Sequence, residues 1–294
     1  MALIHGFHLK NIRGDVLGGL TAAVVALPLA LAFGNAALGP GGAIYGLYGA
    51  VVVGFLAALF GGTPSQVSGP TGPMSVTVAG VVAGLAAAGV PRDLSAEQIL
   101  PLVMAAVFIG GFFQVLFGIL KLGKYITLVP YSVVSGFMSG IGVIIIALQI
   151  GPLLGISTRG GVVESLKTVI QGFEPNGAAI GVAIMTLGIV FLTPRRISQW
   201  LPSPLLALII VTPISIFLFG ETAIDRIGDI PRGIPSLNIP NFSEKYFPII
   251  LKAGLVLAVL GAIDSLLTSL VADNISQTRH NSDRELIGQG IGNA

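Results

Sequence analysis

Eight apolar runs separated by more polar connections dominate this sequence, at about 16–36, 43–60, 71–89, 100–120, 128–151, 176–193, 203–220 and 247–272. A helix crosses the hydrocarbon core of a bilayer with about 20 residues. In lipid, every backbone N–H and C=O must find its partner inside the protein, so runs of this length fold as helices. The sequence therefore predicts an all-α polytopic membrane protein. Composition supports this: 53% of residues are hydrophobic and only 10% are charged, against about 25% charged in a soluble domain. Mean hydropathy is +0.92.

The same numbers exclude several function classes. The net charge is +2 and the basic residues are dispersed, so nothing marks a nucleic-acid surface. Cysteine is absent, which removes thiol nucleophiles and thiolate metal sites. His5, His8 and His280 do not have zinc-ligand spacing. No GxxxxGK[ST], HExxH or GxSxG pattern occurs, and we find no case for an enzyme. The N-terminal stretch MALIHGFHLKNIRGD has no apolar core or cleavage site, so no signal peptide is predicted.

Lysine and arginine give an orientation. With the N-terminus inside, Lys10, Arg13, Lys121, Lys124, Arg195, Arg196, Arg279 and Arg284 all fall on the cytoplasmic side. The alternation holds through eight crossings and predicts a multi-pass plasma-membrane protein. Gly161–Phe173 has helical spacing but is too short and polar to span, and reads as a helix lying on the surface. Glu221–Lys245 reads as an extended external loop. Ser282-Asp283-Arg284-Glu285 fits a capping box opening one more helix. That helix, ELIGQGIGNA, runs for about two and a half turns, so the sequence reads as ending at the start of a ninth membrane segment.

One carboxylate lies deep in an apolar run. Between Tyr246 and Val271 the only charges are Lys252 and Asp264. Lys252, near the start, can snorkel to the headgroups. Asp264 lies roughly 18 Å further along the helix at 1.5 Å per residue. A charge at the bilayer centre costs roughly 2.5–3.5 kcal/mol on insertion scales and marks a functional site by default. Thr268, four residues on, shares its helix face. A carboxylate and a hydroxyl together offer hard oxygen ligands for a small cation. Ser265 points about 100° away. Two other readings stay open: that Asp264 pairs with a donor and only holds the bundle together, or that it relays protons.

The run SGPTGPM, Ser68 to Met74, contains a helix start. Pro70 stops any helix before it, Thr71 is a candidate N-cap, and Pro73 fits only a first helical turn. The exposed N–H groups and positive dipole end would make an anion site if they lie within the membrane. In ALPLALAFG, Ala26 to Gly34, Pro28 implies a kink or break, and Phe33 could line a cavity at its end. Gly136 and Gly140 match a small-residue packing face.

These residues resemble the SulP (sulfate permease) anion transporter family. DVLGGLTAAVVALPLALAFG and GLYGAVVVGFLAALFGGTPSQVSGPTGPMSV are similar to its opening signature, and GAIDSLLTSLVADNISQTRHNSDRELIGQGIGN to its eighth helix and the approach to the ninth. ALPLALAFG, PTGPM, KLGKY and DSLLTS are most similar to its branch of sodium-dependent bicarbonate transporters. The resemblance implies a seven-plus-seven inverted repeat in core and gate domains, with helices three and ten starting at mid-membrane. Residues 1–294 would be a transport domain: the first repeat at about 14–220, and the start of the second at about 246–294. It further implies a homodimer with a cytoplasmic STAS domain in the full-length protein. By similarity, Thr71 and Gly72 would contact the anion with Phe33 beside it, and Asp264 and Thr268 would bind sodium. Many members carry glutamate at the Asp264 position and glutamine at the Leu29 position, so both residues lean toward the bicarbonate branch. Gly69 departs from an acidic residue expected before PTGPM. The function implied is sodium-coupled bicarbonate symport, with sodium as coupling ion. The alternatives are proton-coupled or exchange transport of sulfate or a dicarboxylate, or a membrane scaffold or sensor.

Overall fold

The computed structural model describes residues 12–39, 41–87, 96–128, 130–156, 158, 162–198, 201, 203–220, 223–224, 240, 242 and 244–294. Among these there is no strand. The elements are α1 (Ile12–Leu38), α2 (Ala43–Phe60), α3 (Gly72–Ala87), α4 (Ala96–Ile119), a 3-10 segment (Leu122–Leu128), α5 (Tyr131–Leu154), α6 (Val162–Gln171), α7 (Gly177–Leu192), α8 (Arg195–Ser198), α9 (Ser203–Phe219), α10 (Phe247–Ser276) and α11 (Ser282–Asn293). The eight apolar runs fall on α1–α5, α7, α9 and α10. Four helices have the length and composition to cross a membrane among the described residues: Gly14–Leu38, Ala43–Phe60, Ile99–Ile119 and Phe247–Ser276. The predicted surface helix forms as α6, which packs on α5 and buries Ser165 and Val169 while exposing Val163 and Ile170.

Local chemistry sets the helix ends. The Asn176 side-chain oxygen accepts from Ala178 N and Ala179 N at 2.9 and 3.3 Å, opening α7. α5 closes on Gly155 at φ +75°, the left-handed conformation that favours glycine. The capping box predicted at Ser282 is not formed. Asn281 is the N-cap instead, its side-chain oxygen accepting from Arg284 N at 3.0 Å. The Glu285 carboxylate turns inward, where its Oε2 accepts from Gly62 N at 2.9 Å. Pro28 does not break its helix, because α1 is continuous from Ile12 to Leu38. The region assigned no signal peptide is largely residues 1–11, which lie outside the described residues, as does most of the predicted loop Glu221–Lys245.

The helices pack in two groups. α1, α2, α3, α4, α10 and α11 form one, in which α4 lies along both α10 and α11 and α2 packs on α1 and α11. α5, α6, α7 and α9 form the other, touching the first through α3–α5 and α1–α9. Lipid tails are as apolar as leucine, so close packing rather than escape from water holds such helices together. Leu85, Ile99, Val103, Ala106, Ile250 and Leu257 form a core between α3, α4 and α10. Glycine permits the closest approaches. A Cβ on Gly46 would lie 2.0 Å from the Ala30 carbonyl oxygen, and one on Gly111 would lie 2.6 Å from that of Gly290. Gly136 and Gly140, expected to be packing residues, are exposed on α5 with nothing within 4 Å of an added Cβ. Their spacing fits a packing face, but that face of α5 is turned away from the other described helices.

Candidate functional site

The chain leaves α2 at Phe60 and runs without regular structure to Thr71, where α3 begins. The first N–H of α3 to find an acceptor is that of Ser75, bonded to the Thr71 carbonyl at 2.9 Å; Ser75 Oγ donates to the same oxygen at 2.8 Å. Pro73 has no N–H, so Gly72 and Met74 supply the free donors of the first turn. Thr71 occupies the N-cap position, but its hydroxyl does not cap. Thr71 Oγ1 is buried and has no hydrogen-bond partner. A capping side chain bonds the second or third N–H of the helix, and Pro73 removes one of these. The hydroxyl lies instead within interaction range of the Asp264 carboxylate, although the geometry falls short of a hydrogen bond.

Asp264 sits midway along α10 and is 9% exposed. No hydrogen bond to its carboxylate is made by the described residues, so a purely structural pairing of this group is not seen. Thr268 Oγ1 donates to the Asp264 backbone carbonyl at 2.8 Å. That bond uses the hydroxyl proton and leaves the oxygen lone pairs available as ligands. Asp264, Thr268, Thr71 and Phe33 all line one cavity of about 700 Å³. Gly72 stands at its edge: an added Cβ would lie 3.7 Å from Phe33 Cε1 and 3.1 Å from Ile145 Cγ1 of α5. The structure thus gathers all five sequence-predicted site residues in one place. The helix N-terminus and the buried carboxylate open on the same space. Leu29, by contrast, is half exposed, at 49%, and does not line the cavity.

Several polar residues here were not singled out from the sequence. Ser269 Oγ donates to Gln66 Oε1 at 2.8 Å and shares a hydrogen bond of 2.8 Å with Thr63 Oγ1. Gln66 Nε2 donates to Ser265 Oγ at 3.4 Å, and Gln289 donates to Ser68. In α4, Gln114 is 2% exposed and accepts from Asn293 Nδ2 at 2.7 Å. The signal available in sequence was the run of uncharged polar residues after α2 facing Ser265 and Ser269 on α10. It reads as an ordinary loop until the fold brings Thr63 and Gln66 against Ser269 and Ser265.

The apolar helices, packed around a cavity into which a few polar side chains project, define an all-helical, multi-pass membrane protein. The chain matches the sequence profile of the sulfate permease family over residues 12–294. It is 46% identical over 299 residues to the bicarbonate transporter BicA of Picosynechococcus sp., covering 100% of this chain and 51% of that protein. With BicA of Synechocystis sp. it shares 48% identity over 297 residues, again covering 100% of this chain and 51% of the relative. A solved structure, the transmembrane domain of a cyanobacterium bicarbonate transporter BicA, aligns with a TM-score of 0.86 at 46% identity, covering 99% of this chain and 73% of the other. The chain belongs to the sulfate permease family. It spans about half the length of the curated relatives named here. These relatives are transporters rather than enzymes, in line with the sequence expectation.

Proposed function

We propose that this chain is part of a sodium-coupled symporter for bicarbonate. One observation carries the reading: the free N-terminus of α3 and the Asp264 carboxylate face one cavity, with the unpartnered Thr71 hydroxyl between them. Sodium is held by the Asp264 carboxylate and the Thr268 hydroxyl, hard oxygen donors that suit a small cation. The anion is held at Thr71 and by the N–H groups opening α3 at Gly72, with Phe33 as a wall. Without sodium, the Asp264 charge repels an anion across a short, poorly screened gap. With sodium bound that repulsion is cancelled, so each ion raises the other's affinity by the same factor. The names of the relatives support bicarbonate as the anion.

In the same reading, residues 14–220 form a first repeat and 246–294 open a second. The group containing α3 and α10 moves as an elevator-like unit against the group containing α5. The positive-inside distribution supports a plasma-membrane protein with a cytoplasmic N-terminus. The greater length of the relatives leaves room for the rest of the second repeat and a STAS domain, in a full-length homodimer.

A second reading, proton-coupled or exchange transport of sulfate or a dicarboxylate, is favoured by the family's description as sulfate permeases and by a carboxyl group able to carry a proton. Uptake of radiolabelled bicarbonate and sulfate by the full-length protein in proteoliposomes separates the two. Symport predicts bicarbonate uptake that rises with external sodium and ignores a pH gradient at fixed bicarbonate. Uptake that follows the pH gradient and ignores sodium would support the second reading, and no flux of any anion would contradict both.

A further inference from the structure

A second buried carboxylate lies beside this site and has no part in the reading above. Glu285, in the first turns of α11, is 2% exposed. Its Oε2 accepts from Gly62 N at 2.9 Å. Its Oε1 accepts from Ser265 Oγ at 3.1 Å and from Gln289 Nε2 at 2.9 Å. An ionised carboxylate is an acceptor only, and three converging donors suit it. None of those three partners carries a charge. Ser265 directly follows Asp264 on α10, so this carboxylate is tied to the residue next to the proposed sodium ligand.

The contacts reach the anion side as well. The segment from Gly61 to Thr71 is hooked at three points to Glu285 or its partners: Gly62 to Glu285, Gln66 to Ser265, and Ser68 to Gln289. The fit is close, because a Cβ on Gly61 would lie 3.1 Å from Glu285 Oε2 and one on Gly62 would lie 2.1 Å from the Asn281 carbonyl oxygen. This segment delivers Thr71 and Gly72 to the cavity. In a poorly screened interior, charge acts beyond contact distance. Among the described residues neither Asp264 nor Glu285 forms an ion pair, and two like charges linked through the adjacent residues Asp264 and Ser265 disfavour each other and favour a nearby cation.

We propose that Glu285 is a positioning residue for the cation at Asp264, strengthening sodium binding through its charge while touching neither transported ion. This rests on the sodium reading above. The test measures the half-saturating sodium concentration and the maximal rate of bicarbonate uptake by the full-length protein in proteoliposomes. Glu285→Gln is expected to raise half-saturating sodium about tenfold and to leave the maximal rate within about threefold. Glu285→Asp and Gln289→Met, which retain the charge, are expected to shift it less than about threefold. A merely structural role would lower the maximal rate or the amount of folded protein and leave sodium affinity in place. Gln289→Lys neutralises the charge from the other side. It is expected to weaken sodium binding as Glu285→Gln does, and it decides the matter if Glu285→Gln fails to fold. Sodium affinity within about twofold of wild type in the folded charge-neutralised variant, or an equal loss in Gln289→Met, overturns the proposal. Wild-type uptake indifferent to sodium overturns the underlying reading and this inference with it.

Discussion

At Thr268, which lines the cavity, the hydroxyl proton is committed to the backbone, so the side chain can serve a ligand only as an acceptor. Thr268→Ser keeps that oxygen and Thr268→Val removes it at similar volume. We predict that Thr268→Val raises half-saturating sodium about tenfold, the equivalent of about 1.4 kcal/mol. Thr268→Ser stays near wild type, and equal behaviour of the two variants would count against a ligand role. Thr71→Val tests the anion side. Its hydroxyl has no other partner to lose, so the variant folds normally and its half-saturating bicarbonate concentration rises. Unchanged bicarbonate affinity would remove Thr71 from the site. Asp264 and Thr71 were legible in the sequence because each breaks a local rule, a charge in an apolar run and a helix start between prolines. Glu285, Gln66 and Ser68 break none. A polar residue in a turn, or in a capping pattern, fits an exposed position, and only the packing of α2, α10 and α11 buries Glu285 and half-buries Gln66 and Ser68.

Among the elements, glycine pairs show how far pattern reading carries. Gly136 and Gly140 on α5 have packing-motif spacing and no close neighbour among the described residues, whereas Gly111 on α4 and Gly290 on α11 bring two backbones together. The spacing alone cannot tell which face of a helix will meet another. Gly111→Val should therefore destabilise by roughly 1–3 kcal/mol through overpacking, seen as a lower unfolding midpoint in detergent. Gly136→Ala should leave that midpoint unchanged or slightly raised, since alanine is the better helix former. Loss of stability in Gly136→Ala and not in Gly111→Val would mean that the α4–α11 packing is wrong. Helix boundaries were legible to within a few residues because hydropathy changes sharply at the ends of α2, α7 and α9. The N-cap of α11 was not, because Asn281 and Ser282 are adjacent and equally good caps.

Across the whole molecule, the site belongs to one group of helices and is approached by the other. Ile145 of α5 sits against Gly72 at the mouth of α3, where relative movement of the two groups would first be felt. The chain contains no cysteine, so Ile145→Cys adds the one reporter thiol within it, read against the unsubstituted full-length protein as background. Its labelling by a water-soluble maleimide is expected to change by at least about threefold when sodium and bicarbonate are added together, as the conformational populations shift. Labelling indifferent to both ions would argue against movement at this contact. The most direct test of the central claim uses the reciprocity of coupling. An inward bicarbonate gradient across proteoliposomes should drive uptake of radioactive sodium by the wild-type full-length protein, and Asp264→Asn should abolish it. Equal bicarbonate-driven sodium uptake by the Asp264→Asn protein would contradict the account.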